Sequence, residues 1–216
     1  MKGIRIEEAV AGIPDGASLM VGGFMGVGTS ERVMDELVRQ GKRHLTVIAN
    51  DTARPGLGIG KLIDARALAK VIVSHIGTNP RTQQQMIAGE LTVELVPQGT
   101  LAERVRAGGY GLGGILTRTG LGTAVEEGKT LIKVDGETFL LEKPLRADFA
   151  IVHAKQADYA RNLAYSLTAQ NFNPLMAMAA DVVIVDAEDI VPIGVIPPDS
   201  VRTPGVLVDY LLARGA

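Results

Sequence analysis

Short uninterrupted apolar runs alternate, along most of the chain, with segments whose apolar residues return at helical spacing. SLMVGG (18–23) is bounded by Asp15-Gly16 and by its own glycines, and reads as a buried strand. Val33, Met34, Leu37 and Val38 fall on one helical face within 30–41, and Gly41 ends that segment. LTVIAN (45–50) and KVIVSHI (70–76) predict a second and a third strand. Residues 79–88 read as a helix, LTVELVPQ (91–98) as a fourth strand, and LAERVRAGG (101–109) as a short helix stopped by two glycines. The order β-α-β-β-α-β-α predicts an α/β fold with a largely parallel central sheet and flanking helices. Strands without polar alternation fit a sheet covered on both faces.

The rhythm changes after Gly108. Residues 108–122 are glycine-rich and are expected to be irregular. TLIKVDGETFLLEKP predicts a hairpin across Asp135-Gly136, a small β elaboration near residues 130–142. DFAIVHA (148–154) and DVVIVDA (181–187) predict two more buried strands. No repeat or low-complexity linker marks a boundary, so residues 1–216 read as a single domain.

Composition narrows the function. The 216 residues are 46% hydrophobic and 21% charged, which is enough chain to bury a full core. A net charge of −2 gives no electrostatic basis for holding nucleic acid or an anionic membrane. Without cysteine there is no disulfide, thiolate nucleophile or cysteine metal site, and His44, His75 and His153 lie far apart, so no metal is expected. The first residues lack the apolar run of a leader. The uncharged stretch 16–30 is short and glycine-rich, and 162–180 carries Asn162, Gln170, Asn171, Asn173 and Pro174, a poor set for lipid. The expected location is the cytoplasm.

Three glycine clusters invite comparison with phosphate-binding loops. GYGLGG contains G-x-G-x-x-G through Gly109, Gly111 and Gly114, but it follows a helix where the dinucleotide fingerprint follows a strand. GTAVEEGKT imitates a P-loop, yet five residues separate Gly122 from Gly128, and Lys129 leads into a strand rather than a helix. The first cluster alone has the right context of strand, glycines and helix start. Gly22, Gly23, Gly26 and Gly28 permit close approach or positive φ, and a helix N-terminus favours anions. Read by itself, this turn is a ligand loop or a tight βα connection.

The stretch DGASLMVGGFMGVG resembles the alpha-subunit signature of the family I CoA-transferases. The likeness continues through LTVIANDT, SHIGTNP, GELTVELVPQGTLAERVRAGG, TGLGT, EKPLRADFAIVHA, NFNPLMAMAAD and TPGVLVDYLL, in order, over essentially the whole chain. Three positions depart from the family pattern: Ser30 stands where proline is usual, Tyr110 where a small residue is, and Arg118 where proline is. Serine at position 30 can itself cap a helix; the other two bear on substrate choice.

The resemblance implies transfer of CoA between a short-chain acyl-CoA and a carboxylate such as acetate or acetoacetate, through a thioester on a glutamate in a Glu-Asn-Gly motif of a beta subunit. This chain has no Glu-Asn-Gly; Glu103, Glu90, Glu137 and the Glu126–Gly128 turn offer no substitute. A beta partner, in an α2β2 assembly, is therefore expected to bring the nucleophile. Coenzyme A would be a substrate, with no permanently bound cofactor. The resemblance places CoA contacts on Gly22, Gly23, Phe24, Met25, Gly26, Val27 and Gly28. Gln98, read at the end of a strand, is the candidate amide donor for the thioester oxygen, against the alternative that it caps the following helix. Asn50 and Gly99 are expected at the edge of the pocket, and His75 is expected to be structural. Two rival readings remain: a free-standing sugar-phosphate isomerase or deaminase, and a non-catalytic CoA-binding subunit.

Overall fold

The computed structural model describes residues 3–213. Its first half runs Ile6–Ala11 (α1), Ser18–Val21 (β1), Glu31–Arg39 (α2), Leu45–Ala49 (β2), Gly60–Asp64 (α3), Leu68–Val73 (β3), Pro80–Ile87 (α4), Thr92–Leu95 (β4) and Gln98–Gly109 (α5). Then come Ile115–Thr117 (β5), Thr130–Val134 (β6), Glu137–Glu142 (β7), Ala147–Asp158 (β8), Leu163–Ala164 (β9), Asn173–Met176 (α6), Ala180–Val191 (β10) and Tyr210–Leu211 (β11).

The main sheet has the order β11-β10-β8-β1-β2-β3-β4, and β9 pairs with β8. Every neighbouring pair along that order is parallel; only β8 and β9 run antiparallel. From β1 the chain builds outward through β2, β3 and β4, then returns to lay β8, β10 and β11 on the other side. The order therefore reverses between β1 and β8. In an open parallel sheet, the crevice at the carboxyl ends of the strands flanking such a reversal is where ligands bind. The glycine turn leaves β1 at that point.

Both faces are covered, as the strand pattern predicts. Leu19, Val21, Val47, Ala49, Val71, Val73 and Ile151 pack with Ile13, Val33, Met34, Leu37, Leu62 and Ile63 on one face. Met20, Ile48, Ile72, Ala150, Val152 and Val185 point the other way and pack with Leu101, Val105, Phe172 and Met176. Successive strand residues feed opposite layers, as the period of two requires.

The expected hairpin forms as β6 and β7. Asp135 and Gly136 both take positive φ (49° and 82°), the twist-matched form of a two-residue hairpin turn. Three expectations are corrected. Residues 115–117, within the stretch read as irregular, form β5 and pair with β7, making the hairpin a three-stranded sheet. The connection from β2 to β3 contains α3, a single short turn hidden behind Pro55, Gly56 and Gly58. And α5 begins at Gln98 rather than Leu101, because Pro97 ends the extended chain and presets the entry to the helix.

Candidate active site

The turn after β1 is held by its own chain before any ligand arrives. The Phe24 and Val27 N–H groups each donate to the other's carbonyl at 2.9 Å, Gly22 N–H donates to Ile151 O at 3.1 Å, and Thr29 N–H to Gly26 O at 3.3 Å. Met25, at φ +49°, donates its N–H to Asp51 Oδ2 at 2.8 Å. The glycines are needed for packing against protein. A Cβ on Gly22 would lie 1.8 Å from Asn173 Oδ1, one on Gly23 2.3 Å from Thr29 Oγ1, and one on Gly28 2.6 Å from Ala169 Cβ. Fully buried Asn173 secures the turn from below: its Nδ2 donates to Gly28 O (2.9 Å) and Ala169 O (2.8 Å), and its Oδ1 accepts the His153 N–H (3.0 Å).

Phe24 and Met25 are the members of the turn that face a hollow of about 360 Å³, completed by Asn50, Asp51, Ser74, His75 and Gln98. Asn50 and Asp51 follow β2, Ser74 and His75 follow β3, and Gln98 opens α5, so the lining comes from the segments that leave β1, β2, β3 and β4. Gln98 Nε2 donates to Asn50 Oδ1 at 2.8 Å, so the side chain spans two strand ends instead of capping its own helix. Asn50 Nδ2 donates in turn to Asp51 Oδ2 at 2.8 Å. The hollow thus offers amides, whose remaining N–H groups can donate to a carbonyl or carboxylate oxygen, while the Ser74 hydroxyl proton goes to Asn50 O at 2.7 Å.

Gly26 and Gly28 face a different space, a hollow of about 550 Å³ lined also by Thr29, Glu31, Arg32, His153 and Asp186. Val27 is exposed at the tip, and Gly22 and Gly23 are buried. Ser30 Oγ donates to Asp186 Oδ2 at 2.8 Å, and Arg32 pairs with Asp186 Oδ1 at 3.0 Å. His153 Nδ1 lies 3.9 Å from Asp186, a charge contact that leaves the buried nitrogen without a hydrogen-bond partner. Its Nε2 is 3.5 Å from Glu188. The Asp186 carboxylate raises the His153 pKa above its usual value, burial opposes this, and Glu188 adds to the rise. Burial pushes the Asp186 carboxyl up, but His153, the Ser30 hydroxyl and Arg32 outweigh it and hold the group below the usual carboxylate range.

The remaining candidates lie elsewhere. Gly99 lines a third hollow with Glu103, Arg106 and Thr117, apart from Gln98's. Tyr110 ends α5 at the opposite end of its 12 residues from Gln98, roughly 18 Å along the axis, and Arg106 stacks over its ring at 5.9 Å. Arg118 pairs with Glu137 at 3.1 Å. Lys129 pairs with Glu142, so the imitation P-loop spends its lysine on a structural ion pair. The buried glutamates among the described residues are Glu36 and Glu142; the first is bound by Arg39 and Gln40, the second by Lys129. Sequence reasoning missed Asp51, Asn173, His153 and Asp186. Asp51 follows Asn50 directly at the end of a predicted strand, and that position was the available signal.

A parallel α/β sheet with a hollow lined by Asn50 and Gln98 at its switch point has the arrangement in which open α/β domains bind ligands. Residues 4–214 match the family model for coenzyme A transferase. The chain belongs to the coenzyme A transferase family. It is 52% identical over 209 residues to the acetate CoA-transferase subunit alpha of Escherichia coli K12, covering 97% of this chain and 95% of that one. It is 48% identical over 213 residues to the acetoacetyl-CoA:acetate/butyrate CoA transferase alpha subunit of Clostridium acetobutylicum, covering 99% and 98%. Its fold superposes on an acyl-CoA transferase of Escherichia coli O157:H7 solved as a thioester complex with CoA, with a TM-score of 0.86 at 24% identity. That match takes in 98% of this chain but 46% of the solved one, so the chain spans just under half of that longer polypeptide. Family membership sets aside the free-standing isomerase or deaminase.

Proposed function

We propose that this chain is the alpha subunit of a heteromeric transferase that moves CoA between a short-chain acyl-CoA and a carboxylate such as acetate or acetoacetate. The observation that carries the reading is the composition of the hollow at the switch point. It contains Asn50 and Gln98, whose amide N–H groups can donate to an oxygen, and no glutamate; its one carboxylate, Asp51, has its oxygens taken by the Met25 and Ala53 N–H groups and by Asn50 Nδ2. A covalent route through a carboxylate needs one that is desolvated, oriented and unpaired. Glu36 and Glu142 are desolvated but ion-paired, and Glu90, Glu103 and Glu137 pair with Arg66, Arg106 and Arg118. A beta subunit, in an α2β2 complex, supplies the attacking glutamate in this reading. The present chain supplies Gln98 as donor to the thioester oxygen, with Phe24 and Met25 as the wall against the acyl end.

CoA is a substrate here, passing through a thioester on the partner. The glycine turn holds its shape so that its Phe24–Met25 segment faces the transfer site. The names of the relatives, acetate CoA-transferase and acetoacetyl-CoA:acetate/butyrate CoA transferase, support a short acyl chain.

The test uses the purified chain alone and with its beta subunit. The chain alone transfers no CoA. The complex mixed with acyl-CoA carries a CoA adduct that intact mass places on the beta subunit, and borohydride reduces that glutamyl thioester to an alcohol with release of CoA as its thiol. Turnover by this chain alone, or an adduct on a glutamate within residues 1–216, overturns the proposal.

A further inference from the structure

Asp51 has no role in the reading above, yet it is the charged end of a chain of hydrogen bonds that terminates in Gln98. The residue is 4% exposed. Oδ1 accepts the Ala53 N–H at 2.7 Å, and Oδ2 accepts both the Met25 N–H and Asn50 Nδ2 at 2.8 Å. An ionised carboxylate only accepts, whereas a primary amide donates from one end and accepts at the other. Left alone, Asn50 could turn either end towards Asp51. The carboxylate removes that freedom: the Asn50 nitrogen must face Asp51, so its Oδ1 must face Gln98. That oxygen then requires a donor, so the Gln98 nitrogen must face Asn50, as the 2.8 Å contact shows. Ser74 Oγ, donating to Asn50 O at 2.7 Å, steadies the middle of the chain.

We propose that Asp51 is a positioning residue for CoA transfer, acting through Asn50 to fix which end of the Gln98 amide is the donor, and through Met25 N–H to set the glycine turn against it. The inference rests on the role given to Gln98. One Gln98 N–H proton is spent on Asn50, and the second stays on a nitrogen of fixed position. Donors aimed in advance at developing charge are effective because they need not reorganise during reaction. Without Asp51, the two amides can invert in series and present Gln98 Oε1, an acceptor, where negative charge develops. Asp51 touches no reacting atom; its effect is relayed.

The test is a double-mutant cycle in the assembled complex, after wild-type turnover has been established. Asp51→Asn keeps the shape and frees both amides to invert. Asn50→Ala keeps the Asp51 bonds to Met25 and Ala53 and cuts the relay in its middle, so it reports even if Asp51→Asn disturbs the turn. Each should lower kcat at least about tenfold while KM for acyl-CoA stays within about threefold. Combined with Gln98→Ala, neither should slow the enzyme beyond Gln98→Ala alone by more than about twofold, because residues acting in series are non-additive. Losses that multiply in the double variants, or a wild-type kcat for Asn50→Ala, overturn the relay. A wild-type kcat for Gln98→Ala overturns the role of Gln98 and the relay with it. A wild-type complex that transfers no CoA overturns the transferase reading before any variant is made.

Discussion

Ser30 and Asp186, 156 positions apart in the chain, meet through a 2.8 Å hydrogen bond between the start of α2 and β10. The same serine oxygen accepts the Val33 N–H at 3.3 Å and so caps α2. One hydroxyl therefore ties the end of the glycine turn to the start of a helix and to β10. Proline, usual at this position in the resembled family, would set the backbone for a helix start but could make neither bond.

Replacing that hydroxyl should be costly. Ser30→Ala removes an N-cap and one donor to a buried carboxylate, together on the order of 1–3 kcal/mol. Ser30→Pro should lose the Asp186 bond as well. Urea denaturation of the purified chain measures both. A midpoint equal to wild type for Ser30→Ala would show that water replaces the hydroxyl without loss.

His153 should make stability depend on pH with a definite sign. Asp186 and Glu188 face it from β10; Arg32 approaches the same carboxylate from α2, and Lys155 on β8 pairs with Glu188 at 2.5 Å. The pKa of the folded-state ring is raised above its ordinary 6.5. The folded state then holds a proton that the unfolded chain has released. The stabilisation is full below the unfolded pKa and disappears as pH rises through the folded one. The stability difference between wild type and His153→Gln should therefore shrink from about pH 6 towards pH 8. A difference that grows over that interval would mean that the neutral ring is the favoured form.

The glycine turn should respond to side-chain size at the positions where the protein, not a ligand, occupies the space. Gly23 (φ +115°) and Gly28 (φ +78°) both combine a backbone that disfavours side chains with a Cβ position already filled. Gly23→Ala and Gly28→Ala should each destabilise the chain by about 1–3 kcal/mol even without CoA. Val27→Ser, at a tip residue 54% exposed, should leave stability unchanged. Thermal unfolding of the free chain separates the two cases. Full stability of the alanine variants would mean that the turn shifts freely.

Much of this fold was legible because a parallel sheet buried on both faces writes its strands as plain apolar runs, and LTVIAN and DVVIVDA say so directly. The short elements were harder to read. α3 has five residues and β5 three, too few for a period to declare itself. Within the hollow, Asn50 could be read because position after a strand is a local property, whereas Gln98, read as a strand end, is the first residue of α5. The partnerships of Asn173 with Gly28 and of Ser30 with Asp186 depend on strands that are neighbours in space but far apart in sequence, and no spacing rule reports them. The glycines themselves were legible as a turn, but what occupies the space beside them was not: a missing Cβ looks the same in sequence whether a ligand or Ala169 fills the gap.

Phe24 should set the upper limit on acyl length. Its N–H and carbonyl are both engaged with Val27, so the backbone of the turn is held independently of the ring. Half-buried Phe24 lines the same hollow as Asn50 and Gln98. In the proposed reaction it forms the wall against which the acyl end stops. Phe24→Ala should open that wall while leaving the amide donors in place. Each methylene newly accommodated contributes about 0.8 kcal/mol, roughly fourfold in kcat/KM. The ratio of kcat/KM for hexanoyl-CoA to that for acetyl-CoA should rise on the order of tenfold or more, with little change for acetyl-CoA itself. Steady-state kinetics of the assembled complex over a series of acyl-CoA chain lengths decides it. An unchanged ratio would place the acyl chain elsewhere, and an equal fall for all substrates would assign Phe24 to holding the turn.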